Sequence, residues 1–277
     1  MSNWKTLEIE RHGRVMVIRF NRPEKLNAMS ADMSADFREA IEEANADPSI
    51  GAIVSTGNGR AYSAGADISG FNATFESSSN QPVRERKGWS EPVFLMESKP
   101  IIGAINGLAV GVGMTGALLF DILLASTQAR FSMRFAAIGL TPEVGSSWML
   151  PRIIGLHNAK EMMLTGRIYE AQECLKLGLV HKLYEPEELV PAAIELAAEI
   201  AANPISTLAT IKRMIWDDLA AIDVASVWRK SSDKFAESRK TPEHREALLA
   251  LKDKRKSNFH DTKYMEELAE KIARRTS

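Results

Sequence analysis

The stretch from Lys99 to Gly155 constrains this chain more than any other. KPIIGAINGLAVGVGMTGALLFDILLASTQARFSMRFAAIGLTPEVGSSWMLPRIIG sets an apolar strand, a glycine-rich turn, an apolar helix and a lone glutamate one after another. A short run rich in β-branched residues and bounded by glycine reads as a buried strand. The glycines that follow let backbone N–H groups come close to a ligand, and such donors can stabilise a developing negative charge. One carboxylate, Glu143, lies far enough along to move a proton beside that turn.

Bulk properties limit what the stretch can serve. With 277 residues, 45% hydrophobic and 26% charged, the chain is long enough to bury a large core and is not of disordered or fibrous composition. Its 35 basic and 36 acidic residues nearly cancel, so no global field draws it to nucleic acid or to an anionic membrane. The expected partner is therefore a small molecule recognised locally. A single cysteine, Cys174, forbids an internal disulfide, suits a reducing compartment and is expected as a core thiol. No run of about 18 apolar residues is present to span a membrane. The first residues, MSNWKTLEIERHGR, lack an apolar leader core, and ARRTS at the end is not a peroxisomal tripeptide, so the expected location is cytoplasmic.

Strand and helix patterns alternate through the first two thirds. Leu7 and Ile9, then Val15, Val17, Ile18 and Phe20, flank the turn His12-Gly13-Arg14 and predict an antiparallel hairpin. Ser30 can cap a helix whose apolar face is Phe37, Ala40, Ile41 and Ala44. GAIVSTG reads as a short buried strand, followed by the loop GNGRAYSAGADIS. FNATFESSSNQP, residues 71 to 82, is polar and aperiodic and is expected to be a mobile loop. From Pro186 onward the chain is rich in Ala, Glu, Leu and Lys and predicts helices only. The expected division is a core of residues 1–200 and a helical region of residues 201–277 for assembly and cover of the site.

Gly111, Gly113 and Gly116 spell G-x-G-x-x-G after a strand and before a helix, the form of a dinucleotide site. Against that reading, the motif sits mid-chain, and between Gly107 and Pro142 the sole acidic residue is Asp121, so no carboxylate lies about 20 residues on to take a ribose. Glycines that merely permit tight packing are a further alternative. The five histidines, at 12, 157, 181, 244 and 260, have no ligand spacing, and no metal site is expected.

Three segments together resemble the enoyl-CoA hydratase/isomerase (crotonase) family. NRPEKLNAMS, residues 21 to 30, is similar to the family's segment beside the coenzyme A nucleotide. GNGRAYSAGADIS, residues 57 to 69, is similar to the loop that supplies one oxyanion donor, with Tyr62 in place of a phenylalanine. NGLAVGVG, residues 106 to 113, resembles the segment that supplies the second, within the pattern that opens at Lys99 and has Gly103 in place of an alanine. The resemblance implies an α/β fold, a crotonase-like ββα spiral core with a C-terminal helical trimerisation region, and assembly as a homotrimer or a dimer of trimers. It also implies an acyl-CoA substrate whose thioester oxygen sits between the N–H groups of Ala66 and Val112. Coenzyme A is then the carrier of the substrate, and no cofactor is bound permanently. The residues expected along the coenzyme are Lys25, Ala28, Ala64, Ala66, Asp67 and Ile68, with Arg255 or Lys256 as a further contact. Asp67 also reads as a turn or cap residue.

The acids separate the reactions that share such a fold. Hydratases of the family carry two glutamates around the attacking water, and this chain has Thr115 and Phe135 at the matching positions. Glu143, in TPEVGSS, is similar to the single catalytic carboxylate of Δ3,Δ2-enoyl-CoA isomerases of the peroxisomal type. One base suffices for a 1,3-shift, because the proton leaves C2 and returns to C4 on one face of a dienolate. Thr141, Pro142 and Glu143 also read as an ordinary helix N-terminus, with Thr141 as cap and Glu143 complementing the dipole. The expectation is isomerisation of a 3-enoyl-CoA to the 2-enoyl-CoA with Glu143 as base. A hydratase of unusual acid placement and a non-catalytic acyl-CoA-binding scaffold are the alternatives. Trp89, Phe94, Phe135 and Trp148 are candidates either for an acyl tunnel or for core packing.

Overall fold

The computed structural model describes residues 4–67, 92–221 and 223–276, which fall into two compact units, residues 1–200 and 201–277. The predicted mobile loop and Trp89 lie outside the described residues.

The first unit opens with the hairpin β1 (Leu7–His12) and β2 (Val15–Phe20), in which Leu7 faces Phe20 and His12 faces Val15. Helix α1 (Ala31–Ala46) follows, and the Ser30 hydroxyl accepts the Met33 N–H at its start. Its buried face is Met33, Phe37, Ala40, Ile41 and Ala44, the stripe that the sequence spacing predicts. The chain then runs through β3 (Ala52–Gly57), β4 (Ala61–Ser63), α2 (Pro92–Met96), β5 (Ile101–Ile105), β6 (Leu108–Val110), α3 (Val112–Thr115), β7 (Ile122–Ser126) and β8 (Arg130–Ser132). β3, β5 and β7 belong to a six-stranded sheet of order β1-β2-β3-β5-β7-β10, while β4, β6 and β8 belong to a four-stranded sheet of order β4-β6-β8-β9. Successive strands thus alternate between two sheets with a helix before each return, and that alternation is a ββα spiral.

The physical basis is burial. Every residue of β3 and β5 is buried, so these strands are withdrawn from water on both faces, and they pair in parallel. Asn106 holds successive turns in step, since its Oδ1 accepts the Gly57 N–H at 3.0 Å and its Nδ2 donates to the Gly59 carbonyl at 2.9 Å. Gly103 replaces an alanine for a steric reason, because a methyl group there meets Leu123 Cδ2 at 2.6 Å and Phe120 Cδ2 at 2.9 Å. Tyr62 is buried edge-on to Phe20, and its hydroxyl pairs with that of Ser55 at 2.9 Å.

The first unit continues through α4 (Ser146–Ile154), α5 (Leu156–Thr165), β9 (Tyr169–Glu170), α6 (Ala171–Leu177), β10 (Lys182–Tyr184) and α7 (Pro186–Ala201), at whose end the boundary falls. The regular elements of the second unit among its described residues are helices: α8 (Ile205–Leu219), α9 (Val224–Ser238), α10 (Pro242–Asp253) and α11 (Thr262–Thr276). Its centre of gravity in polar terms is Glu246, fully buried, which accepts hydrogen bonds from the Arg255 guanidinium, the Asn258 N–H and the Tyr264 hydroxyl. No single helix among the described residues is long and apolar enough to cross a membrane.

Candidate active site

Residues 22 to 29 form a braced platform. After the short 3-10 turn Pro23–Lys25, Leu26 and Asn27 both take left-handed backbone conformations, with φ of 51° and 52°. Asparagine tolerates that conformation better than most residues, and here its side chain is put to use. Asn27 is fully buried, its Oδ1 accepts the Arg22 N–H at 2.8 Å, and its Nδ2 donates to the carbonyls of Asn58 at 3.0 Å and Ala61 at 2.8 Å.

Residues 64 to 67 hang on this platform. The Ala64 N–H donates to the Leu26 carbonyl at 2.9 Å, the Met29 N–H to the Gly65 carbonyl at 2.7 Å, and the Asp67 N–H to the Met29 carbonyl at 3.0 Å. In that parallel bridge Met29 bonds to the residues on either side of Ala66, so the N–H of Ala66 itself points the other way. Among the described residues it has no acceptor.

The second donor arises where β6 meets α3. Gly111 adopts φ 52° and ψ −126°, a region closed to side-chain-bearing residues, and turns the chain abruptly into the helix. Its own N–H donates to the Ser132 carbonyl at 3.1 Å, and its carbonyl accepts the Met114 and Thr115 N–H groups at 2.9 Å. Val112 is the first residue of the helix, and its N–H is one of the donors that a helix start leaves unused; among the described residues it too has no acceptor. The two turns touch. A methyl group on Gly65, which has φ of 100°, would stand 3.0 Å from the Val110 carbonyl oxygen and 3.9 Å from Gly111 Cα. Ala66 and Val112, each one residue further on, therefore leave from adjacent points with unpaired N–H groups, an arrangement able to hold one carbonyl oxygen.

The surroundings of this pair are apolar and without an acid at the two expected places. Phe135 is buried, with its Cζ 3.9 Å from where a Gly111 side chain would begin. Thr115 is fully buried one turn above Gly111, and its Oγ1 has no hydrogen-bond partner among the described residues. Asp121 accepts the Ile101 N–H through Oδ2 at 2.7 Å, which fixes it to the start of β5. Cys174 is buried, which pushes its thiol up to about 12 and keeps it protonated, as expected of a core thiol.

Several expectations need correction. Glu143 is not at a helix N-terminus capped by Thr141. The helix α4 begins at Ser146, with Gly145 as its cap, and between Glu143 and the helix stand Val144 and Gly145, both left-handed with φ of 55° and 66°. The Glu143 carbonyl accepts the Ser146 N–H at 3.0 Å and the Ser146 hydroxyl at 2.6 Å, so the main chain here is a tight turn, and Glu143 is exposed on it. That turn leads into α4, which packs against the 3-10 turn Ala117–Leu119 that follows α3. The dinucleotide alternative fails because α3 has four residues, too short a helix to hold a pyrophosphate. Arg255 pairs with the buried Glu246 inside the second unit while 37% of its side chain stays exposed, and Lys256 is exposed. Of the aromatic candidates Phe135 reaches the glycine turn, whereas Phe94 lies under the Arg38 guanidinium at 5.0 Å and Trp148 under that of Arg152 at 3.8 Å.

Lys25 is exposed at the end of its 3-10 turn, and its carbonyl accepts the Ala28 N–H at 3.0 Å. Ala28 and Ala64 are half-buried on the facing segments, and Ile68 lies outside the described residues. Asp67 is held by Arg22, a residue that sequence reading did not single out, as it did not single out Asn27. The available signal was their place in NRPEKLN, but nothing in the segment announces what either side chain binds.

The enoyl-CoA hydratase/isomerase family model matches residues 10–262, and the chain belongs to that family. It is 34% identical over 255 residues to the short-chain-enoyl-CoA hydratase of Clostridium acetobutylicum, covering 90% of this chain and 95% of that protein. It is 30% identical over 260 residues to the crotonyl-CoA hydratase of Syntrophomonas wolfei, covering 92% and 98%. Among solved structures, an enoyl-CoA hydratase from Bacillus anthracis superposes with a TM-score of 0.84 at 26% identity over 92% of this chain and 99% of that one. One from Polaromonas sp. JS666 gives 0.83 at 26% identity over 91% and 98%. The fold is thus the crotonase spiral with C-terminal helices, and the chain is an enzyme of the superfamily that acts on acyl-CoA thioesters.

Proposed function

We propose that this enzyme shifts the double bond of a 3-enoyl-CoA to the 2-position, with Glu143 as the shuttling base. The observation that carries the reading is the character of Thr115 and Phe135, one a neutral hydroxyl and one a hydrocarbon ring, both buried against the glycine turn. Neither can exchange a proton with substrate near neutral pH, so the two-acid machinery of hydration is missing from those places. In the proposed reaction the thioester oxygen accepts the Ala66 and Val112 N–H groups. Glu143 takes a proton from C2, the charge moves onto that oxygen in a dienolate, and the same carboxyl returns the proton to C4. Each preorganised N–H is worth roughly 3 kcal/mol to such an oxyanion. Lys25 meets the coenzyme's phosphates, and the main chain at Ala28, Ala64, Ala66 and Asp67 borders the rest of the carrier. Residues 1–200 bind the substrate, while residues 201–277 serve assembly and cover of the site in a homotrimer or dimer of trimers. The exposed Ile211, Trp228 and Phe235 support that last role. The working location is the cytoplasm.

Hydration is the second reading. Two observations favour it: the relatives above are named hydratases, and the Thr115 hydroxyl has a hydrogen-bonding capacity that no described residue fills. Ultraviolet absorbance of the conjugated enoyl thioester separates the readings. Isomerisation raises it with 3-hexenoyl-CoA and leaves 2-hexenoyl-CoA unchanged, whereas hydration lowers it with 2-hexenoyl-CoA. Binding without turnover of either would make the protein a scaffold. For the isomerase, Glu143→Gln is expected to keep the fold and coenzyme A affinity and to lower turnover at least about a hundredfold; turnover near that of the wild type would remove Glu143 from the mechanism.

A further inference from the structure

We propose that the Arg22–Asp67 ion pair is a positioning latch that aims the Ala66 N–H, and that it ties this donor to the platform along which the coenzyme lies. The proposal rests on the oxyanion reading given above. Arg22 Nη2 donates to Asp67 Oδ2 at 2.9 Å while Nη1 donates to the Ala28 carbonyl at 2.8 Å. One planar guanidinium fork therefore spans both strands of the bridge, residues 26–29 on one side and 64–67 on the other, and closes it beyond its last backbone bond. Both side chains are mostly withdrawn from water, with 20% and 18% of their surfaces exposed. The fixed end is rigid as well, because the Arg22 main chain is held by buried Asn27.

A latch is needed because of what precedes Ala66. Gly65 sits at φ 100°, where no side chain restricts rotation, so the peptide plane that carries the Ala66 N–H is aimed by its contacts, and its Gly65 carbonyl accepts the Met29 N–H at 2.7 Å. Arg22 acts on that plane from both strands: Nη1 holds the Ala28 carbonyl, which shares a peptide plane with the Met29 N–H that grips Gly65, and Nη2 holds Asp67, whose own N–H donates to the Met29 carbonyl. Arg22 and Asp67 touch no reacting atom in this scheme. They act on the reaction through the direction of one N–H bond, and a misdirected oxyanion donor loses most of its effect.

Asp67→Asn removes the charge at constant shape, and Arg22→Lys keeps the charge but replaces the planar two-nitrogen fork with a single nitrogen on a flexible stem. The test measures, for each variant, kcat and KM with 3-hexenoyl-CoA, the thermal midpoint, and the infrared stretch of the carbonyl in bound butyryl-CoA carrying a 13C label at C1. In the wild type the two donors should lower that stretch relative to free butyryl-CoA. Both variants are expected to lose about tenfold in kcat with KM within about twofold, and to return the stretch part of the way to its free value. A wild-type carbonyl stretch in either variant, with kcat reduced no more than the folded fraction explains, overturns the latch. Should Asp67→Asn fail to fold, the same readouts on Arg22→Lys decide alone. Absence of any shift on binding to the wild type would instead sink the oxyanion reading itself, so the two failures are distinguishable.

Discussion

The Thr115 hydroxyl is buried in the first helical turn after Gly111 and meets no partner among the described residues. A hydroxyl in that situation costs roughly 1–3 kcal/mol relative to an apolar group of the same shape. Thr115→Val is therefore expected to raise stability by about 1 kcal/mol in a denaturant titration while leaving isomerisation intact; a large fall in turnover would mean that the hydroxyl serves the reaction. Glu143 shows the limit of reading single residues. Its standing as the candidate acid is visible in the sequence, because Asp121 is the one other carboxylate between Gly107 and it. Its setting is not visible, because Thr-Pro-Glu has the chemistry of a helix start, whereas Val144, a β-branched residue, is held at φ 55° by burial of its side chain. Tertiary packing overrode a local preference there, and no local pattern records such an override.

At the level of elements, the hairpin, the capped helix α1 and the buried strand β3 follow from short-range pattern alone, and each stands where its residues predict. Lys99 joins two of these elements. Its Nζ donates to the carbonyls of Ala44 at 2.7 Å and Asp47 at 2.6 Å, at the end of α1, and Pro100 and β5 follow directly. The cation thus meets the Ala44 carbonyl, whose helical donor would be the N–H that Pro48 lacks, and the Asp47 carbonyl, which also accepts the Ile50 N–H at 3.1 Å, and it sits at the negative end of the dipole. Burial pulls the ammonium group below the usual lysine range. Lys99→Met is expected to destabilise the protein by about 2 kcal/mol, the cost of two charge-assisted hydrogen bonds and the carbonyls left behind, measured by chemical denaturation. Nothing in the segment Lys99-Pro100 reveals that partner, which is contributed by a helix more than 50 residues earlier.

Over the whole molecule, acid sensitivity is expected to come from the second unit. The Arg255 guanidinium, then the Tyr264 hydroxyl and the Asn258 N–H, hold the buried Glu246 carboxyl at about 2, below the ordinary 4.5. A carboxyl whose value is depressed on folding contributes stability that is whole above its unfolded value and is lost as pH falls through the folded one. The stability difference between wild type and Glu246→Gln should hold constant above about pH 5 and close between 4.5 and about 2; an unchanged gap across that range would show that the carboxyl is not ionised in the fold. By itself the sequence determined the class of fold, the order of apolar strands and glycine turns, the helical tail and the shortage of acids near the turn, because each is written in residue types within a few positions of one another. Tertiary structure alone decided which N–H groups remain unpaired among the described residues, that Arg22 closes on Asp67 across 45 residues, and that Arg255 pairs with Glu246. Those outcomes depend on which backbone groups the spiral brings side by side, and the spiral is set by burial of all its strands together.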